Sequence, residues 1–173
     1  MIDALAGVAA ACVEVFRRGN KILLAGNGGS AADCQHIAGE LVARFKFDRP
    51  GLAAVALTVD TSVLTAIGND YGYERVFARQ VEALGTPGDI LFAYSTSGSS
   101  ANILSAIQAA KARNITTVGW TGLRESPMAA GLCDHVLRSP STQTPLIQEA
   151  HLVMGHVLCE IVEAHLFGGG AGA

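Results

Sequence analysis

The sequence predicts an α/β fold, a three-layer αβα sandwich in which a parallel sheet carries helices on both faces. Three observations lead there. Short apolar runs alternate with segments of helical period along the whole chain. The run Asp89-Ile90-Leu91-Phe92-Ala93-Tyr94 reads as a buried strand. Two strands are followed at once by Gly- or Ser-rich turns that open helices. Strands that alternate with helices imply a parallel sheet covered on both sides, with ligands beyond the carboxyl ends of the strands.

The elements follow in order. Residues 3–17 have helical apolar spacing through Leu5, Val8, Ala9, Cys12, Val13 and Phe16, and Arg17-Arg18-Gly19-Asn20 ends that helix. A strand is expected at 21–25, then a glycine turn, then a helix to about Phe45. Arg49-Pro50-Gly51 breaks the chain before a strand at 53–57. A helix from Thr61 to Ile67 precedes a loop over 68–73, and 74–84 reads as helix. After the strand at 89–94 come a helix to Arg113, strands at 116–120 and 134–138, and a long helix from Thr144 to Leu166. No linker or internal repeat divides the chain, so residues 1–167 are expected to form one domain and 168–173 a disordered Gly/Ala tail.

Composition narrows the function. Of 173 residues, 50% are hydrophobic and 16% charged, and the mean hydropathy is +0.35. No uninterrupted apolar run of membrane-spanning length exists, so the surplus apolar surface is expected to meet other subunits rather than a membrane. A net charge of −3 without a Lys/Arg cluster argues against nucleic acid as a partner. The start lacks a basic region of the secretory kind, and the four cysteines contain no C-x-x-C pair. Both features predict a cytoplasmic protein with free thiols.

The chemistry concentrates in a few places. Ser95-Thr96-Ser97-Gly98-Ser99-Ser100 lies at a strand-to-helix turn. Unpaired N–H groups and the helix dipole favour an anion there, and short neutral hydroxyls can wrap phosphate oxygens. One hydroxyl suffices for an ordinary N-cap, so several point to an oxyanion site. Gly26-Asn27-Gly28-Gly29-Ser30 is a second such turn, matching neither a dinucleotide fingerprint nor a P-loop. His36 and Glu40 are four apart on one helix and share a face. Gln148 and His156 are eight apart on the last helix, about 80° around it. Imidazole and carboxylate groups so spaced can bind a metal or act as an acid/base pair. For His36 alone a solvated or hydrogen-bonded side chain is the preferred reading, and His156 reads equally well as a neutral core histidine or a site histidine. His151 reads as core, and Asp70 as a turn residue.

Taken together, Gly26-Asn27-Gly28-Gly29-Ser30, the His36/Glu40 pair, Arg49-Pro50-Gly51, Gly68-Asn69-Asp70, Ser95-Thr96-Ser97-Gly98 and Ile147-Gln148-Glu149 ending at His156 resemble, in that order, the phosphoheptose isomerases of the sugar isomerase (SIS) superfamily. The resemblance spans residues 3–167. It implies a five-stranded parallel SIS domain, a homotetramer and sites shared between subunits. It implies isomerisation of sedoheptulose 7-phosphate to D-glycero-D-manno-heptose 7-phosphate, on the way to the inner-core heptose of lipopolysaccharide. Ser95, Thr96, Ser97 and Ser100 would hold the phosphate. Asn27, Gly28, Gly29, Asn69, Asp70 and Gln148 would contact the sugar. Glu40 and His156 match the proton-transfer pair, and His36, Glu40, Gln148 and His156 match a zinc set. Pro145 departs from the family pattern, where some relatives carry an acid. The rival readings are an SIS adaptor for the replication initiator, which lacks the carboxylate and final histidine, and a sugar-phosphate sensor.

Overall fold

The computed structural model describes residues 1–168. Apart from Gly168, the expected tail lies outside them. Five strands form one all-parallel sheet: β1 (Ile22–Ala25), β2 (Ala54–Ala56), β3 (Ile90–Tyr94), β4 (Thr116–Thr121) and β5 (His135–Arg138). Their order is β2-β1-β3-β4-β5. The helices are α1 (Ile2–Arg17), α2 (Gly29–Val42), α3 (Thr61–Tyr71), α4 (Ala78–Leu84), α5 (Ala101–Ala112) and α6 (Thr144–Phe167).

Strand residues alternate between two cores because successive side chains point to opposite faces. Leu24, Phe92, Tyr94, Val118 and Trp120 pack beneath α1, α2 and α6. Leu23, Ala25, Leu91 and Ala93 pack beneath α5 and the segment holding Val76, Phe77 and Val81. Every residue of β1 and β3 is buried, as expected of central parallel strands. The strand order reverses between β1 and β3, which pair in register from Ile22↔Ile90 to Ala25↔Ala93. A parallel sheet opens a crevice at such a switch point, and both Gly/Ser turns flank this one.

Three boundaries differ from expectation. Helix α2 stops at Val42, three residues early, where Arg49 and Leu52 of the returning chain take its last carbonyls. Helix α3 runs through Gly68-Asn69-Asp70 to Tyr71 and ends at Gly72, whose φ of 86° takes the chain out of the helix in a conformation that favours glycine. The segment expected as one helix over 74–84 is a 3₁₀ turn at Tyr73–Arg75 followed by α4.

Helix α6 is long and apolar enough to cross a membrane by length and composition, although no uninterrupted apolar run marks it. It serves as a core helix here, burying Ile147, Met154, Leu158 and Val162. It also crosses α2 closely. A Cβ on Gly155 would lie 2.5 Å from Ile37 Cδ1, so a larger residue there would push the Ile37 side chain aside.

Candidate active site

The serine turn is organised as a hydroxyl cluster rather than a helix cap. Ser100 is the N-cap residue of α5 but makes no side-chain capping bond. Its Oγ lies 2.9 Å from Ser95 Oγ instead. Ser97 Oγ is 3.4 Å from Ser95 Oγ and accepts from Ser99 Oγ at 3.1 Å. The backbone holds the turn to β4: Ser95 N donates to Trp120 O and Gly122 N to Thr96 O. Gly98 makes the bend with φ 68°.

Both turns line one hollow of about 250 Å³. Asn27, Gly28, Gly29 and Ser30 face Ser95, Thr96 and Ser100 across it, with Gln148 of α6 closing one side. The Gln148 amide rests so close to Gly29 that a Cβ there would meet Nε2 at 2.5 Å. Asn27 is locked by a reciprocal amide pair with Asn102 at 2.8 and 2.9 Å, and Tyr73 OH donates to it at 3.3 Å. Asn102 reads from the sequence as an ordinary position of its helix, and Tyr73 as a packing residue. A buried asparagine in an otherwise apolar helix stretch was the signal for the first.

A second cluster forms where α2 and α6 cross. His36 Nε2 and His156 Nε2 are 2.8 Å apart, one ring donating to the other. Glu40 Oε1 is 3.4 Å from His36 Nε2. The Phe45 ring lies 5.7 Å from that of His156, centroid to centroid. One turn before His36, burial raises the Asp33 carboxyl above the usual carboxylate range while His36 opposes the shift. Asp33 Oδ2 is buried without a protein partner.

One ligand atom each from His36, Glu40 and His156 can lie within 4.8 Å of the others. Ligand atoms about 2.0–2.2 Å from a tetrahedral metal sit roughly 3.3–3.5 Å from one another. The His36–Glu40 spacing meets that, and the two imidazoles need only a slight opening. Two nitrogens and a carboxylate oxygen are a donor set that suits a divalent ion of the zinc kind.

Other expected residues lie elsewhere. Gln148 is eight residues before His156, about 12 Å along α6, at the hollow. Asn69 and Asp70 are exposed on α3 and bond to each other at 2.7 Å. His151 is a core residue, fully buried with Nε2 3.3 Å from Thr121 O.

Known proteins resemble this chain in sequence and fold. The SIS domain family matches residues 2–122. The phosphoheptose isomerase of Burkholderia pseudomallei (strain K96243) is 63% identical over 161 residues, 93% of this chain and 81% of that protein. Phosphoheptose isomerase 2 of Campylobacter jejuni is 58% identical, covering 91% of this chain and 78% of that one. The solved structure of phosphoheptose isomerase GmhA from Neisseria gonorrhoeae has a TM-score of 0.88 and 43% identity, covering 94% of this chain and 86% of that chain. Likeness at this level over nearly the whole length leaves one assignment: the chain belongs to the phosphoheptose isomerases of the SIS domain family.

Proposed function

We propose that this chain interconverts sedoheptulose 7-phosphate and D-glycero-D-manno-heptose 7-phosphate, with Glu40 and His156 moving the protons. The observation that carries the reading is the apposition of Glu40 and His156 from α2 and α6, the two helices whose N-terminal turns also border the hydroxyl-lined hollow at the sheet's switch point. An adaptor or a sensor needs the hollow but not the apposed acid/base pair.

Aldose–ketose isomerisation moves one proton between adjacent carbons and another between their oxygens. Glu40, as carboxylate, takes the proton from C1 of the ketose while the C2 carbonyl oxygen is protonated, giving the cis-enediol. His156 serves the oxygens, giving a proton to O2 and receiving one from O1. Glu40 then returns its proton to C2, which leaves the aldose. Each such proton transfer contributes about 10²–10⁴-fold in rate. Ser95, Thr96, Ser97 and Ser100 hold the phosphate with the first amides of α5, and Asn27, Gly28, Gly29 and Gln148 line the sugar's path. His36, Glu40 and His156 would hold zinc, which would supply positive charge that orders this cluster when the sugar is absent; Gln148, the fourth member of the expected set, stands at the hollow instead.

The same reading makes residues 1–167 one SIS domain in a cytoplasmic homotetramer. Leu146, Val153 and Val157 give α6 an exposed apolar face that a second copy would cover. Asn69 and Asp70, exposed on α3 and not lining this hollow, would contact the sugar in the assembled protein. The four cysteines, all free and buried, suit a reducing compartment. Incubation with sedoheptulose 7-phosphate and NMR analysis of the products tests the reading. The aldose product is expected; unchanged substrate with folded protein overturns it. Light scattering tests the assembly.

A further inference from the structure

Arg49-Pro50-Gly51 and Glu163 have no part in the chemistry above, yet they form the most enclosed ion pair among the described residues. Arg49 Nε donates to Glu163 Oε1 at 2.9 Å, with side-chain exposures of 2% and 1%. Charges this enclosed are kept only where their hydrogen bonds are satisfied and their geometry matters.

The pair reaches towards the Glu40–His156 cluster from both sides. Arg49 Nη2 donates to the backbone carbonyl of Glu40 at 2.9 Å, and Nη1 to that of Leu41 at 2.7 Å. Helix α2 has no basic residue in its last turn and no glycine stop, so this guanidinium supplies both the cation and the donors its carbonyl end requires. Glu163 accepts from the backbone N–H of Phe45 at 2.9 Å and of Lys46 at 2.8 Å. Those bonds set the chain that lays the Phe45 ring against His156. Burial alone would raise the Glu163 carboxyl, but the Phe45 and Lys46 N–H groups and Arg49 lower it, so it stays ionised. Glu163 is also seven residues after His156, two turns along one face of α6.

We infer that Arg49 and Glu163 are positioning residues for proton transfer: together they clamp the end of α2 that carries Glu40 to the face of α6 that carries His156. The inference rests on the catalytic roles proposed for Glu40 and His156. The clamp acts on the root of Glu40 and on the aromatic neighbour of His156, and touches no residue that lines the hollow. It requires the forked donors of arginine. A lysine offers one charged point and cannot reach two carbonyls and a carboxylate together.

The test uses Arg49→Lys and Glu163→Gln, which keep size and part of the bonding. Glu160→Gln is the control, since it removes the exposed Lys46–Glu160 pair on the same helix. Each protein is assayed with sedoheptulose 7-phosphate, with rates divided by the folded fraction. A misplacement of about 1 Å at reacting groups costs up to about a hundredfold. Arg49→Lys is therefore expected to lower kcat by roughly ten- to a hundredfold with KM within about threefold, while Glu160→Gln matches wild type. Should Arg49→Lys prove too unstable to assay, Glu163→Gln carries the same expectation. Unchanged kcat per folded molecule, or kcat and KM altered equally in all three variants, overturns the clamp.

Histidine side-chain NMR supplies a readout independent of turnover. The ring signals of His36 and His156 should move in Arg49→Lys and Glu163→Gln and stay in place in Glu160→Gln. If wild type fails to turn the sugar over, the proposed function fails, and these signals still decide the clamp: their constancy overturns it.

Discussion

Replacing Gly98 with alanine probes the serine turn proposed to hold the phosphate. Gly98 has φ 68°, a region that costs other L-residues roughly 1–2 kcal/mol. An added Cβ would overlap Ser126 Oγ, lie 2.6 Å from Ser126 Cβ and sit 2.8 Å from Thr121 Oγ1. Thr121 belongs to β4 and cannot retreat, and overpacking of this kind costs about 1–3 kcal/mol. The sum is about 2–5 kcal/mol, a large share of the roughly 5–15 kcal/mol that holds a domain folded. Ser126→Gly removes the nearest atoms at the expense of the 3.3 Å bond from Ala129 N to Ser126 Oγ, about 1 kcal/mol. The double variant should therefore be more stable than the sum of the single effects by at least about 1 kcal/mol. Urea unfolding of wild type, both single variants and the double variant measures this. KM for the phosphorylated sugar should rise in Gly98→Ala and partly recover in the double variant. A Gly98→Ala loss under about 0.5 kcal/mol, or additive single effects, refutes the strain reasoning.

Other outcomes follow from the same geometry. Glu40→Gln and His156→Ala should each lower turnover by at least about two orders of magnitude in folded protein; near-normal rates in either dismiss its proton-transfer role. Ser95→Ala with Ser97→Ala removes two donors, each worth about 1.5–3 kcal/mol to a charged group. Calorimetry should then show sedoheptulose 7-phosphate bound on the order of a hundredfold more weakly, with unphosphorylated sedoheptulose little affected; equal affinity for the phosphorylated sugar would mean the phosphate sits elsewhere. Elemental analysis after zinc soaking should find one ion per chain, and His36→Ala should lose it; retention of the ion would dissolve the proposed ligand set. Burial lowers the His151 pKa from 6.5 to about 4, with its bond to Thr121 O opposing. The unfolded chain therefore takes up that proton before the folded one does. The stability involved, about 3 kcal/mol, is present above pH 6.5 and lost as pH falls towards 4. His151→Gln should flatten urea midpoints across that window, and an unchanged pH slope would count against the assignment.

Much of this protein was legible in local pattern. Strand runs, helical periods and Gly- or Ser-rich turns are properties of neighbouring residues, so all five strands and both site turns could be read in order. The hydroxyl cluster at 95–100 needed only its place after a buried strand and before a helix. Boundaries that depend on competition were less legible: Gly68 and Gly72 could each end α3, and the positive φ at Gly72 decided it.

What the tertiary structure alone decided is how distant segments meet. His36 and His156 are 120 residues apart, and nothing local says that α2 and α6 cross at Gly155 closely enough to bring their ring nitrogens to 2.8 Å. Asn102 became a partner for Asn27 because β1 and β3 adjoin, a fact of strand order rather than of either sequence segment. Arg49 reads in the sequence as part of a chain break, and Glu163 carries no local signal at all. Only their enclosure between α2 and α6 made them a pair, because the energy of a buried charge depends on which opposite charge and which backbone groups share its low-dielectric surroundings.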